Sequence, residues 1–270
     1  MPGAPRVGAG RVREAPGCAG PLPALLLEGF VDGLVGGITT SERNLRFRDR
    51  SADQAVASAY EELAAFAQPF GGWVRVEQLH GARVLEVACA ATAAGAPGGL
   101  TLGGADGLLR RDAAAGPGLL TVTVADCAPV FLAWPGGHAL LHAGWRGTAA
   151  GILEAGARAA GVPAAELRVH VGPSIAGCCY EVGPEVVAAL FPPDLAQDRD
   201  LAARPAPGSR WWVDLKRALV LRARRLGVPP EGVTASASCT ACGRGFHSFR
   251  ASGEPVARRL MLAFLGRARA

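Results

Sequence analysis

The sequence predicts an α+β fold, a single domain of mixed β-sheets flanked by helices. Two apolar runs of strand character, Thr121–Trp134 and His138–Gly147, follow one another in mid-chain. Stretches of helical spacing fall on either side of them, and no repeat or linker divides the 270 residues. Folded as one unit, a chain of this size buries roughly 75% of its unfolded surface, so core volume is not limiting.

Residues 1–23 are rich in Pro, Gly and small side chains and lack the apolar stretch of a secretory signal. They predict a disordered lead, with the folded domain over residues 24–270 and a cytoplasmic location. Ala24–Leu34 reads as a strand entering a turn at Gly36 and Gly37. From Asp53 to Gln68, Val56, Tyr60, Leu63 and Ala64 keep a helical spacing, with Asp53 as N-cap. Trp73–Val87 alternates like a strand and turns at Gly81, just after His80. Residues 91–118, rich in Ala and Gly, are expected to be surface loops around Ala105–Leu109.

The central strands are joined by Pro135, Gly136 and Gly137, which predicts an antiparallel hairpin. Pairing symmetric about Gly136 sets Val130 opposite His142 and leaves Cys127 further along. A kink or bulge between Asp126 and Pro129 is then needed to bring thiol and imidazole together. Beyond the Gly144–Gly147 turn, Thr148 caps a helix through Ala160, and Glu166–Gly172 is a strand. A helix begins near Pro184, and Asp214–Leu226 is helical, stopped by Gly227 and Pro229. Val233–Cys242 and Phe246–Arg250 read as strands and Val256–Leu265 as a closing helix.

A formal charge of +5 and a pI near 9.0 raise the question of a nucleic-acid partner. Apart from Lys216 the cations are arginines and dispersed, and a short cluster such as Arg222–Arg225 fits a solvated helix face, so no nucleic-acid partner is expected. No run approaches the ~20 apolar residues of a membrane span, and no membrane partner is expected. Seven scattered cysteines suit free thiols in a reducing compartment better than a disulfide framework.

Cys127 and His142 lie in runs with few other polar groups. With His80 they supply two imidazoles and a thiol, and three such ligands around an open fourth position are the pattern of a catalytic zinc site. On spacing alone the alternatives stay open: a buried free thiol with hydrogen-bonded core histidines, or a metal-free hydrolase or deamidase with Cys127 as nucleophile and His142 as base. Arg146, at the start of the helix after the Gly144–Gly147 turn, offers an anion site together with nearby backbone N–H groups. Asp126 could orient His80 or His142. Cys239 and Cys242 form a CxxC with no second CxxC to complete a four-thiolate site.

Taken in order, several segments resemble the motifs of the polyphenol-oxidase or laccase-domain family, over about residues 28–265. They are Gln78–Gly81, Ala125–Cys127, His142–Gly147, Gly172–Ile175 with Cys178–Val182, Val213–Lys216, and Cys239-Thr240 followed by Phe246–Arg250. The resemblance implies a two-sheet fold in α/β/β/α-like layers. It further implies a zinc-dependent purine nucleoside phosphorylase that also deaminates adenosine, with one zinc per chain on His80, Cys127 and His142. Its partners would be inorganic phosphate and purine nucleosides: adenosine, inosine, guanosine and methylthioadenosine. As a Lewis acid zinc makes water nucleophilic near neutral pH, which suits displacement of the amino group at C6 of adenosine. Phosphorolysis instead requires a phosphate held beneath C1′, for which Arg146 is the candidate.

The family's Arg-x-Gly-Gly-Val-Ser segment is represented here by Leu34–Thr39, without the arginine. Arg46, following Asn44 and Leu45, or Arg48 is the expected replacement, so Asn44 and Arg46 join the candidate binding residues. Near the C-terminus the family's Thr-Gly-Arg is replaced by a run ending in Arg258 and Arg259. The family's historical name suggests a copper oxidase, but such a multicopper cluster needs on the order of ten imidazoles. This chain has five, so copper binding is expected only as incidental loading.

Overall fold

Two large sheets face each other across one apolar layer, and helices cover their outer sides. The computed structural model describes residues 12–46, 51, 53–87, 99–112, 118–252 and 259–268. In chain order, β1 (Arg13–Ala19), β2 (Leu22–Glu28) and β3 (Leu34–Thr39) precede α1 (Gln54–Phe66). There follow β4 (Trp73–Glu77), β5 (Val84–Glu86), β6 (Gly99–Gly104), β7 (Gly107–Arg111), β8 (Leu119–Val124), β9 (Ala128–Trp134) and β10 (Gly137–Ala143). Next come α2 (Trp145–Ala149), α3 (Ile152–Ala160), β11 (Arg168–Val171), β12 (Glu181–Val182), α4 (Pro184–Leu190), α5 (Ala196–Ala202), β13 (Ala203–Ala206) and β14 (Arg210–Val213). The chain closes with α6 (Leu215–Arg225), β15 (Val233–Ala235), α7 (Phe249–Ser252) and β16 (Met261–Arg267).

The first sheet has the order β1-β2-β3-β16-β8-β4-β6, the second β15-β11-β9-β10-β7-β5, and a small third sheet β12-β14-β13. Both large sheets are mixed, with β4 parallel to β6 and β8, β5 to β7, and β11 to β15.

Strand geometry explains why the mid-chain runs are apolar without alternation: successive side chains reach two different buried faces. Ala128, Val130, Leu132 and Trp134 pack under Ile152 and Leu153 of α3 and Leu215 and Leu219 of α6. Phe131 and Ala133 turn the other way, toward Val122, Val124, Ala263 and Leu265 of the seven-stranded sheet. The outer face of that sheet holds Val56, Tyr60 and Leu63 of α1 against Trp73, Leu119 and Phe264. The result is the α/β/β/α layering the resemblance implies. Asp53 caps α1 as expected, its Oδ1 accepting the amides of Ala55 and Val56 at 2.9 and 3.3 Å. No described helix is long and apolar enough to cross a membrane.

Several local expectations are overturned. The lead expected over residues 1–23 is structured from Arg13 onward, because β1 pairs antiparallel with β2 and Glu14 reaches across to His170 and Ser236; residues 1–11 lie outside the described residues. Gly36 and Gly37 are not a turn but lie inside β3. A Cβ at Gly37 would run into the Leu25 carbonyl and stand 2.8 Å from the Phe264 ring, so these glycines allow close strand approach. The segment read as loops supplies β6 and β7, with 91–98 and 113–117 outside the described residues.

The closing helix is instead β16, central in its sheet and buried on both faces, where a short apolar run carries no helical or strand period. Phe246–Arg250 is not a strand, since the Ser248 hydroxyl accepts the Ala251 amide at 3.1 Å and opens α7. Of Val233–Cys242 only Val233–Ala235 is a strand. The helix expected to be capped by Thr148 instead begins at Trp145 with Gly144 as N-cap and Thr148 inside it, and it is split into α2 and α3 at Gly151, where φ is +84°.

Candidate metal centre

The hairpin turn contains only Pro135 and Gly136, and Gly137 pairs with Trp134. His142 therefore sits opposite Pro129, not Val130, and Cys127 lies one residue past the last pair, Ala128 with Ala143. The one-residue shift brings the thiol closer than symmetric pairing allows. The expected bend is present at Asp126, with φ +79°, where the chain leaves β8 of one sheet to enter β9 of the other.

His80 arrives from the loop after β4. Gln78 anchors that loop: its Nε2 donates to the Thr123 carbonyl at 2.8 Å, and its Oε1 accepts the Thr123 amide and hydroxyl at 2.8 and 2.7 Å. His80 itself holds a left-handed φ of +60°, an unusual conformation for a side-chain-bearing residue. Asp106 stabilises it. This buried carboxylate accepts the amides of Leu79, His80 and Gly81 at 3.2, 2.8 and 2.7 Å, and its Oδ1 lies 2.9 Å from Nδ1 of His142. Burial alone would raise the Asp106 pKa, but the bonds from His142 and from the loop amides lower it, so the carboxylate stays charged.

The donor atoms of His80, Cys127 and His142 lie within 4.8 Å of one another, and the two imidazole rings are 4.8 Å apart at 84°. Burial works against a Cys127 thiolate, but the His142 and His80 imidazoles outweigh it and bring the thiol down to about 6. For His142, burial disfavours the cation, yet Cys127 and Asp106 raise it to about 9. The space beside the sulfur depends on Gly144, where a Cβ would stand 2.8 Å from Sγ of Cys127 and 3.5 Å from Cδ2 of His80. Soft and borderline donors, a carboxylate fixing the far nitrogen of one imidazole, and a cradle kept clear of side chain together fit a zinc-class ion with an open position.

The group opens on a cleft of about 1190 Å³. Arg46, Arg75, Arg146 and Arg250 line it, together with Trp145, Tyr180 and Phe249. The Arg146 guanidinium lies over the Trp145 ring, 4.4 Å from its centroid, a cation–π contact. Asn44 does not line the cleft; its Oδ1 accepts the amides of Arg46 and Leu260 at 3.2 and 3.1 Å and so fixes the approach of Arg46. Arg48 and Arg258 lie outside the described residues. Asp126 does not bond to either imidazole; it accepts the Thr240 hydroxyl at 2.6 Å and the Arg250 amide at 2.7 Å. The orienting role belongs to Asp106, which sequence reasoning missed in an Ala- and Gly-rich stretch.

Residues 33–265 match the family model described as multi-copper polyphenol oxidoreductase laccase. The chain belongs to that family. Among its relatives, purine nucleoside phosphorylase YlmD of Geobacillus stearothermophilus is 36% identical over 209 residues, 74% of this chain and 74% of that one. Adenosine deaminase RL5, from an unknown prokaryotic organism, is 33% identical over 132 residues, 46% of this chain and 49% of its own length. The crystal structure of YlmD from Geobacillus stearothermophilus shares the fold at TM-score 0.75 and 31% identity, covering 90% of this chain and 96% of that one.

The multi-copper part of the family's description finds no imidazole grouping among the described residues beyond His80 and His142. His138 lies 3.5 Å from Asp112, His170 lies between Thr234 and Glu14, and His247 faces the Arg43 carbonyl, so these three rings are spread through the fold.

Proposed function

We propose that this family member is a zinc-dependent purine nucleoside phosphorylase that also deaminates adenosine, with His80, Cys127 and His142 as ligands of one zinc per chain. Adenosine, inosine, guanosine and methylthioadenosine are the proposed nucleosides, with inorganic phosphate as co-substrate. The observation that carries the reading is the convergence of two imidazoles and a thiol at the wall of an arginine-lined cleft. The names borne by relatives in the same family support it.

A bound zinc would supply Lewis acidity and make water nucleophilic near neutral pH. Asp106 holds Nδ1 of His142, which leaves Nε2 for the metal side. In phosphorolysis a phosphate oxygen bonds to C1′ as the C1′–N9 bond breaks, and the bonding pair leaves with the purine, which takes up a proton. Phosphate must be placed before it can attack, and Arg146, lying over the Trp145 ring, is the proposed clamp, with Arg46 lining the same cleft. Tyr180, its phenol pushed up to about 12 chiefly by burial and the neighbouring Cys127 charge, remains a hydrogen-bond donor.

A metal-free hydrolase with Cys127 as nucleophile has a specific observation in its favour, the aligned series Cys127, His142 and Asp106. His80 argues for the metal, because a thiol nucleophile needs one base and here two imidazoles meet one sulfur. Incubation of zinc-loaded protein with adenosine and phosphate is expected to give adenine and ribose 1-phosphate, and some inosine. Zinc-loaded protein that forms neither product refutes the nucleoside assignment, and covalent capture of substrate on Cys127 establishes the thiol enzyme.

A further inference from the structure

Four other sulfurs converge away from this centre. The Sγ atoms of Cys178, Cys179, Cys239 and Cys242 all lie within 4.8 Å of one another, with Cys178 at 3.5 Å from Cys179 and 3.7 Å from Cys242. All four are free thiols. Thiolates placed about 2.3 Å from a tetrahedral zinc stand about 3.8 Å from each other, so the cluster has the dimensions of a closed tetrathiolate cage. We infer that Cys178, Cys179, Cys239 and Cys242 form a second, structural metal site for a zinc-class divalent ion.

The local backbone is built for a charged sulfur. Cys239 to Gly243 reads C-x-x-C-G, and the amides of Ala241 and Cys242 point back at Sγ of Cys239. The turn is closed by the Gly243 amide donating to the Cys239 carbonyl at 2.8 Å, and a Cβ at Gly243 would collide with that carbonyl. A third amide, from Ala176 on the other loop, approaches the same sulfur at 3.4 Å. Amide donors of this kind bond more strongly to a metal-bound thiolate than to a neutral thiol.

Charge balance points the same way. Four thiolates around a divalent ion leave a net charge of about −2, and the buried Lys216 ammonium stands beside the cluster, donating to the carbonyls of Ser238 at 2.6 Å and Ser174 at 3.4 Å. Binding replaces the thiol protons, which pass to solvent, and involves no redox step. A disulfide would join two of the sulfurs and leave the fourfold convergence without a role.

The site would act as a clip between two loops. Ser174 and Cys239 already form a bridge, and the Thr240 amide donates to the Ser174 carbonyl at 3.1 Å. The first loop supplies Ile175 and Tyr180 to the cleft wall, and α7, which follows the second, supplies Phe249 and Arg250; Ile175, Thr240 and Arg250 together hold Asp126, next to Cys127. An ion here would fix that wall from behind without touching substrate.

The test is metal stoichiometry of the whole chain purified under reducing conditions with zinc. About two zinc per chain are expected in the unmodified protein, about one in Cys127→Ala, and about one in the Cys178→Ser, Cys242→Ser double variant. Loading Cys127→Ala with Co2+ reads the second site without altering it, and strong thiolate-to-cobalt charge-transfer absorption is expected. One zinc in the unmodified protein and none in Cys127→Ala would overturn the inference. So would a disulfide among these four cysteines in the reduced preparation, or Co2+-treated Cys127→Ala without thiolate bands. None of these readings depends on nucleoside turnover.

Discussion

Asp106 holds His142 twice: its Oδ1 lies 2.9 Å from the imidazole Nδ1, and its backbone oxygen accepts the His142 amide at 2.7 Å. The same carboxylate also accepts the amides of the loop that presents His80. One buried side chain thus bonds both to a proposed zinc ligand on a strand, His142, and to the loop that carries another, His80.

Asp106→Asn keeps the shape but replaces a carboxylate with a group that cannot accept from every amide and polarise His142 as well. Zinc affinity at the His80, Cys127 and His142 site should fall about 10- to 100-fold. Competition with a chromophoric chelator measures it, and unchanged affinity would remove Asp106 from the account.

Gly144→Ala separates room from conformation. Gly144 has φ −77° and ψ 173°, which alanine adopts freely, so the backbone has no reason to change. The added methyl nevertheless stands 2.8 Å from the Cys127 sulfur. Unchanged circular dichroism with loss of the zinc dependent on Cys127 is the expected outcome; a variant that keeps that zinc at full affinity contradicts the proposed cradle.

The metal-free chain should hold Cys127 and His142 as a thiolate–imidazolium pair between about pH 6 and pH 9. The Cys127 folded pKa is depressed, so its contribution to stability is lost as pH falls through about 6. That of His142 is raised, so its contribution is lost as pH rises through about 9. The two describe one shared interaction and are not additive. Alkylation of Cys127 in chelator-treated protein, located by peptide mass spectrometry, should show a midpoint near pH 6, and a midpoint near that of an ordinary thiol would refute the pair.

Arg146→Ala removes the proposed phosphate clamp and leaves the three metal-site side chains alone. Phosphorolysis should fall by roughly 100-fold, as expected for loss of a charge-assisted positioning contact, while deamination changes much less. Equal losses in the two reactions would strip Arg146 of this role.

Layering and centre differ in how far the sequence shows them. The grouping of His80, Cys127 and His142 is legible through the order of the family's motifs, since the spacing of one thiol and two imidazoles leaves a buried thiol or a thiol enzyme open. Asp106 is not, since a carboxylate that acts through hydrogen bonds to three amides and an imidazole leaves no spacing rule. The hairpin register was displaced by one residue because Gly137 pairs with Trp134 instead of sitting in the turn. β16 hides as a helix because a strand buried on both faces has no period. The second cysteine group was missed because Cys178 and Cys179 are adjacent, not spaced as CxxC, and contacts between distant loops, such as the bridge between Ser174 and Cys239, bring them to Cys242.

The most direct test of the zinc-dependent nucleoside reaction is a titration of metal-stripped protein with Zn2+, following ribose 1-phosphate formed from adenosine and phosphate. Activity should rise in proportion to zinc bound at the site that Cys127→Ala abolishes, and that variant should stay inactive at every zinc level. Full turnover by the stripped protein, or a filled site that releases neither ribose 1-phosphate nor inosine, would contradict the account.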